Sequence, residues 1–144
     1  MQAALTVLFG KQRYSSIVAH RLDLHGLGLT QMVLPDGSFL VDADLAHADL
    51  FRAHLIEANL DAANLSHADL SRANLEGANL SHADLTRADL TGANLTGANL
   101  FGAYLGWGPL DHVNLTGADL EGAILFGADL TSANLTFAKL SVRN

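Results

Sequence analysis

Residues 68–97 read ADLSR ANLEG ANLSH ADLTR ADLTG ANLTG, six consecutive units of five residues. The same rhythm runs from 38 to 142, where a leucine stands at every fifth position from Leu40 to Leu140, twenty-one in all. Alanine lies two positions before the leucine in eighteen units, and aspartate or asparagine lies directly before it in fifteen. A repeat this regular predicts a solenoid, in which each unit is stabilised by packing against its neighbours.

The five-residue period itself constrains the shape of that solenoid. It fits neither the 3.6-residue period of a helix nor the alternation of a long strand. Within a unit, the alanine and the leucine lie on the same side of an extended segment, so both face inward and the other three residues face outward. Every unit can keep this orientation only if the chain turns a corner at each one, and the product is a coil.

The outward residues indicate how many units form one coil. The choice between Asp and Asn before the leucine matches in seven of ten pairs four units apart, against five of eleven at three units and two of eight at five. Because equivalent residues stack from coil to coil, this pattern predicts four units, or twenty residues, per coil. Neighbouring coils should then lie about 4.8 Å apart, the ordinary spacing of paired strands.

The unbroken Ala-Asp/Asn-Leu-x-x units of residues 38–142 resemble the pentapeptide-repeat family. The resemblance implies an all-β fold, a right-handed quadrilateral parallel β-helix of about five to six coils with four pentapeptides per coil. We assign residues 22–144 to this β-helix, regular from 38 to 142. Residues 1–21 do not follow the repeat, and we interpret them as an N-terminal cap, since a stack of coils needs an atypical end.

One irregularity interrupts the early part of the repeat. Leu34 and Leu40 are six residues apart instead of five, and the extra residue coincides with Pro35-Asp36-Gly37. Proline and glycine favour a turn. We therefore predict a one-residue bulge at this point and regular geometry after it.

Composition limits the classes of function. The chain has 144 residues and a formal net charge of -7, which argues against direct binding to nucleic acid or to an anionic membrane. It has no cysteine, and its apolar run near the start, residues 3–9, is too short to span a bilayer. That run also lacks the basic segment that precedes a secretory signal, so we expect a cytoplasmic protein without a membrane anchor.

No residue pattern predicts a catalytic, cofactor-binding or metal-binding site. His47 and His67 should stack, being twenty residues apart, but a zinc site needs three or four converging ligands. Asp49, Asp69 and Asp89 should form a column on a face that also carries Arg52 and Arg72, which predicts a charge-balanced ladder. A pair of catalytic carboxylates would need a cleft, and a convex coil offers none. No cofactor is expected.

Five large apolar residues occupy outward positions late in the repeat. They are the candidate interaction surface: Phe101, Tyr104, Trp107, Ile124 and Phe126. Exposed aromatic clusters of this kind mark contact surfaces. The alternative is that Gly106–Pro109, which departs from the motif, folds over these residues and buries them.

These observations favour a non-catalytic structural or protein-interaction module with an unknown protein partner. The regular units continue almost to the end of the sequence, which leaves an unpaired coil edge and predicts a homodimer through the C-terminal coil. The main alternative, implied by the resemblance, is an acidic mimic of duplex DNA that binds a topoisomerase such as DNA gyrase. Two further hypotheses are a binder of an ordered surface through the Asn/Thr rungs at 94–96, 114–116 and 134–136, and an enzyme.

Overall fold

The computed structural model describes residues 22–141. Over this range there is no helix and no extended strand, and the β-structure consists of single-residue parallel bridges. Each bridge joins the residue before a central leucine to its equivalent in the next coil, as Asn74 pairs with Asn94 and Asn94 with Asn114. From Phe39 onward the two partners of each bridge are twenty residues apart. Each coil therefore contains four pentapeptides, as the outward columns predict.

The four units of a coil define four faces, which we number in chain order. Face 1 contains the units centred on Leu40, Leu60, Leu80, Leu100, Leu120 and Leu140. Faces 2, 3 and 4 begin with the units centred on Leu24, Leu29 and Leu34 and continue with those of Leu45, Leu50 and Leu55, after which each recurs every twenty residues.

A tight turn separates each face from the next. The amide N–H that follows the turn donates to the carbonyl of the central leucine, for example from Ala48 to Leu45 at 3.1 Å. The second turn residue has a positive φ, as in a type II turn, both where it is glycine and at fourteen positions where it is not. The positive φ is what returns every alanine and leucine to the inside, at a conformational penalty for each non-glycine residue.

The interior is filled by the two inward positions of each unit. From Leu40 to Ala123 the central leucines and the alanines before them are buried, almost all with 2% exposure or less. Burying one leucine contributes on the order of 1.5–3 kcal/mol to the free energy of folding. The apolar pattern therefore determines the inside of the coil, and the chemistry available to partners lies on the outward residues.

Backbone and amide hydrogen bonds join the coils to one another. The amide N–H of Leu95 donates to the carbonyl of Asn114 in the next coil at 2.7 Å. Outside the backbone, Asn79 Nδ2 donates to Asn59 Oδ1, and Asn99 Nδ2 to Asn79 Oδ1, each at 3.1 Å. Asparagine is suited to this column because one side chain can accept from one coil and donate to another.

The first coil contains the predicted extra residue. Asp23, Gly28 and Val33 each pair with a residue twenty-one positions later, whereas Phe39 pairs with Asn59, twenty positions later. The insertion thus falls between Val33 and Phe39, where Ser38 Oγ and the Ser38 amide both donate to the carbonyl of Pro35. The predicted cap at 1–21 lies outside the described residues.

The last described coil is less well covered than the coils before it. Leu125, Leu130 and Leu135 are only partly buried, and Leu140 is 56% exposed. Phe137, at a turn position, is 87% exposed. The amide N–H groups of Leu130 and Leu135 donate to no carbonyl within the described residues. Residues 22–141 contain no helix that is long and apolar enough to cross a membrane.

Candidate interaction surface

Four of the five residues predicted to form an interaction surface lie together on face 2. Tyr104 and Ile124 are bridge partners in successive coils, and Trp107 and Phe126 lie at the following turns. Tyr104, Trp107 and Phe126 are 49%, 58% and 59% exposed, and Ile124 is partly buried between them. The structure therefore brings these four side chains together in solvent, and we call them the aromatic strip.

Phe101, the fifth predicted residue, lies on face 1 at the neighbouring corner. Its exposed ring makes an edge-to-face contact with the imidazole of His82, with 5.6 Å between the ring centroids. Phe101 thus extends the apolar surface around the corner and does not join the strip on face 2.

Trp107 is held in place by two residues of the next coil. Its indole packs edge-to-face against the ring of Phe126, with centroids 4.9 Å apart and planes at 80°. It also covers the backbone of Gly127, where an added Cβ would lie only 2.6 Å from Cε3 of the indole. Aromatic pairs in this geometry contribute about 0.5–1.5 kcal/mol beyond their burial. The strip is therefore preorganised, although its outer surface is in water.

Gly106–Pro109 does not fold over the strip. Gly106 and Trp107 form an ordinary turn, and Gly108 takes the inward position that alanine occupies elsewhere. Gly108 is required there because an added Cβ would lie 2.4 Å from the carbonyl oxygen of Ala88. Pro109 has no amide N–H to donate to that carbonyl, which removes one bond of the ladder. The departure from the motif is thus absorbed within the coil, and the alternative of local burial is wrong.

The two histidines predicted to stack do so. The rings of His47 and His67 are 4.8 Å apart and nearly parallel, at 7°, and His25 packs edge-on against His47 at 5.4 Å. Among residues 22–141 no group of three or more His, Asp or Glu side chains is arranged to hold a metal ion. The histidine column is a surface stack.

The predicted aspartate column is also present, on face 3. Asp49 pairs with Asp69 and Asp69 with Asp89, so like charges adjoin at each step. Each carboxylate accepts the amide N–H two residues later, at 3.1, 2.9 and 2.8 Å respectively. These local hydrogen bonds, typical of Asx turns, stabilise each carboxylate within its own coil.

Two carboxylates of the last coils have shifted acidities. The Lys139 ammonium donates to Asp119 Oδ2 at 2.9 Å and, with the Glu121 amide, lowers the pKa of Asp119 below its ordinary value of 3.8. The same contact raises the pKa of Lys139 above 10.5. The hydroxyl and amide of Thr131 lower the pKa of Asp129. All three groups are at the surface, where solvent screens the interactions.

A shallow depression beside the aromatic strip was not predicted from the sequence. It has a volume of about 350 Å³ and is lined mainly by Asn64, His82, Asp84, Thr86 and Tyr104. In the sequence, Tyr104 stands where Asp or Asn usually precedes the leucine, and it follows Asp84 by one coil. This departure from the repeat is the signal that could have located the depression.

The sequence matches the family description "Pentapeptide repeats (8 copies)" over residues 39–77, 68–106 and 110–141. No curated protein sequence matches the chain. Solved structures of pentapeptide-repeat proteins do match it.

HetL, a protein of the cyanobacterium Nostoc sp. strain PCC 7120 involved in heterocyst differentiation regulation, is 38% identical. That match covers 82% of this chain and 59% of HetL, with a TM-score of 0.60. Rfr23 from the cyanobacterium Cyanothece 51142 is 30% identical over 85% of this chain and 88% of its own, with a TM-score of 0.59. Alr5209 from Nostoc PCC 7120 is 40% identical over 60% of this chain and 83% of its own, with a TM-score of 0.56.

The chain thus spans about three fifths of the length of HetL and most of the length of Rfr23. The family match covers well over half of the sequence, and the structure has parallel coils of four pentapeptides. The protein therefore belongs to the pentapeptide-repeat family, whose fold is the right-handed quadrilateral parallel β-helix.

Proposed function

We propose that the protein is a non-catalytic interaction module that binds a protein partner through the aromatic strip and the adjoining Phe101. The exposure of Trp107 and Phe126 is the observation that carries this proposal. Large aromatic side chains fixed against one another at the surface are the residues that contribute most to protein–protein binding. Here they are preorganised, so little side-chain entropy remains to be lost when a partner binds.

The interior of the coil supports a non-catalytic role. Leucine and alanine fill it along the regular units, so the functional groups of the chain lie on four outward faces. The concave feature beside the strip is shallow and open, whereas small-molecule sites enclose most of their ligand. Flat faces of this kind are suited to contact with another macromolecule.

Affinity capture with purified protein tests the proposed surface. The double variant Trp107→Ala/Phe126→Ala should lose a partner that the wild-type protein retains. Phe39→Ala/Val41→Ala is a matched control, because Phe39 and Val41 are also exposed apolar residues but lie on face 1 in an early coil. Equal recovery of the same proteins by all three baits, with circular dichroism showing the same fold, would remove the strip from consideration.

Self-association through the last coil is the second part of this proposal. In the last described coil Leu140 and Phe137 are exposed, and the amide N–H groups of Leu130 and Leu135 donate to no carbonyl of the described residues. A second copy could cover the apolar side chains and accept hydrogen bonds from these donors. Analytical ultracentrifugation should show a dimer that Leu140→Glu weakens. A monomer mass at every concentration would contradict it.

The surface charge supports a second candidate function, mimicry of duplex DNA toward a topoisomerase. Residues 22–141 contain all fifteen carboxylates but only four Lys and Arg residues, a net charge of -11. About six coils span roughly 29 Å at the strand spacing, and duplex DNA of that length carries about 17 charges. The acidic surface therefore approaches the charge density of DNA without reaching it. A gyrase supercoiling assay tests this function, and unchanged supercoiling at saturating protein would exclude it.

A further inference from the structure

The depression beside the aromatic strip has a chemical character of its own. Tyr104 and His82 are among the residues that line its volume of about 350 Å³. Asp84, which is partly buried, also lines it. An aromatic face and a carboxylate that share one concave site favour a cation.

Asp84 lacks the donor that the next coil supplies elsewhere in its column. Two coils earlier, Asp44 Oδ1 accepts a hydrogen bond from Asn64 Nδ2, at 3.2 Å. The residue one coil after Asp84 is Tyr104, which has no amide to donate in that way. Asp84 Oδ1 accepts only the Thr86 amide, at 2.9 Å, among the bonds of the described residues. Its second oxygen is therefore available to a donor from outside the chain.

The coil itself shows how a cation satisfies such a carboxylate. On face 1, Asp119 is followed one coil later by Lys139, whose ammonium lies 2.9 Å from Oδ2. On face 2 the equivalent position after Asp84 holds the Tyr104 ring. Arg87 lies on the same face, but no Lys or Arg among residues 22–141 comes within 4.0 Å of the Asp84 carboxylate. Within residues 22–141 no cation pairs with Asp84, so a cation at this carboxylate would have to come from outside this range.

We propose that this depression receives an arginine side chain of the protein partner. The guanidinium would donate to Asp84 Oδ2 and stack on the Tyr104 ring, while an apolar side chain of the same partner segment contacts Trp107 and Phe126. Arginine fits better than lysine because its planar group can stack on a ring and donate to a carboxylate at the same time. The net charge of -11 on residues 22–141 attracts a basic segment to this surface. This inference rests on the aromatic strip being the binding surface.

The coil spacing sets the separation of the two side chains in the partner. Asp84 and Phe126 belong to face 2 units that are two coils apart, which corresponds to about 9.6 Å along the axis, or about three residues of extended chain. The blocked peptide Gly-Arg-Gly-Gly-Leu-Gly matches this separation. Its citrulline analogue keeps the size and the planar end of the side chain, but it removes the charge and replaces one amino group with a carbonyl oxygen, so the pair tests the charged guanidinium.

Titration of the full chain with each peptide, followed by NMR amide shifts and by Trp107 fluorescence, tests the proposal. The arginine peptide should bind at least about five-fold more tightly than the citrulline peptide, as expected for a stacked and hydrogen-bonded cation. Asp84→Asn should remove that preference. Asp69→Asn is the matched control, because Asp69 has the same position in its unit and the same hydrogen bond to the amide two residues later, but lies on face 3. It should keep the preference.

The other outcomes separate this inference from the proposed function. Equal binding of both peptides, weakened by Trp107→Ala, would overturn the arginine site and leave the aromatic strip as the binding surface. Equal loss of preference in Asp84→Asn and Asp69→Asn would also overturn it, because general charge attraction would then explain the binding. If neither peptide shifts any amide resonance, the arginine site is wrong, and the capture experiment alone decides the role of the strip.

Discussion

The indole ring of Trp107 occupies the space beside Gly127 that a side chain would need: a Cβ added to Gly127 would lie 2.6 Å from Cε3 and 2.9 Å from Cδ2 of the indole. Gly127 also has a φ of 71°, which disfavours any other residue. The glycine therefore serves the turn and the surface together, since it adopts the turn conformation and leaves room for the Trp107 indole.

Gly127→Ala should displace the indole and expose it further. Trp107 is the single tryptophan of the chain, so its fluorescence emission should shift to longer wavelength. Gly117→Ala is the control, because Gly117 has a φ of 68° but has nothing within 4 Å of an added Cβ. Both variants should lose about 1 kcal/mol of stability through the positive φ. An unchanged emission spectrum in Gly127→Ala would contradict the packing described for Trp107.

The positive φ at the turns predicts opposite effects for opposite substitutions. Ala62 has a φ of 55° and Gly97 a φ of 66°, at the same position of their units. Ala62→Gly should stabilise the protein by about 0.5–1 kcal/mol, and Gly97→Ala should destabilise it by about 1 kcal/mol, because only glycine adopts this conformation without a steric penalty. Urea unfolding of the two variants measures both changes. Stability changes of the same sign in the two would show that the turn conformation is not the controlling factor.

Gly108→Ala should be strongly unfavourable although alanine is the usual residue at that position. The added Cβ would lie 2.4 Å from the Ala88 carbonyl oxygen, and backbone cannot move aside as a flexible side chain can. We expect a loss of about 1–3 kcal/mol, the range for overpacked cores. Thermal unfolding measures it. A stability equal to that of the wild type would mean that the coils can separate locally at Pro109 without penalty.

The contact between Asp119 and Lys139 predicts a pH dependence at both ends of the scale. The Lys139 hydrogen bond lowers the pKa of Asp119 in the folded protein. The ionised Asp119 carboxylate therefore stabilises the fold at a pH above 3.8, its ordinary pKa, and this stabilisation is lost as the pH falls through the lowered pKa. Because the pKa of Lys139 is raised, its contribution is present below 10.5 and is lost as the pH rises through the raised pKa.

Lys139→Met should raise the pKa of Asp119 toward its ordinary value, as measured by NMR titration of the carboxyl carbon. Asp129 serves as the internal reference, because its lowered pKa is caused by Thr131 and does not involve Lys139. A pKa of Asp119 that does not move in this variant would show that the Glu121 amide, and not the ammonium, controls it.

The repeat is sufficient to predict the inside of this protein. Leucine recurs at every fifth position from Leu40 to Leu140, with a small residue two positions before it. This pattern predicts that the leucine and the small residue face the inside of the coil, because one packing arrangement buries every unit in the same way. The Asp/Asn columns predict twenty residues per coil for the same reason, since equivalent outward residues stack. The bulge at Pro35–Gly37 and the stack of His47 on His67 follow from counting residues along that coil.

The outward surface depends on contacts between coils that no local pattern contains. The period places Trp107 and Phe126 on one face, but only the folded coil shows that their rings pack edge-to-face in solvent. They stay exposed because the backbone at Gly108 and Pro109 keeps the register of the coil and does not cover them. The depression at Asp84 likewise depends on Tyr104, twenty residues away, which stands where an amide donor would be and lines the same depression. A repeated sequence thus determines the scaffold, while the tertiary stacking of its exceptional residues determines what the surface can bind.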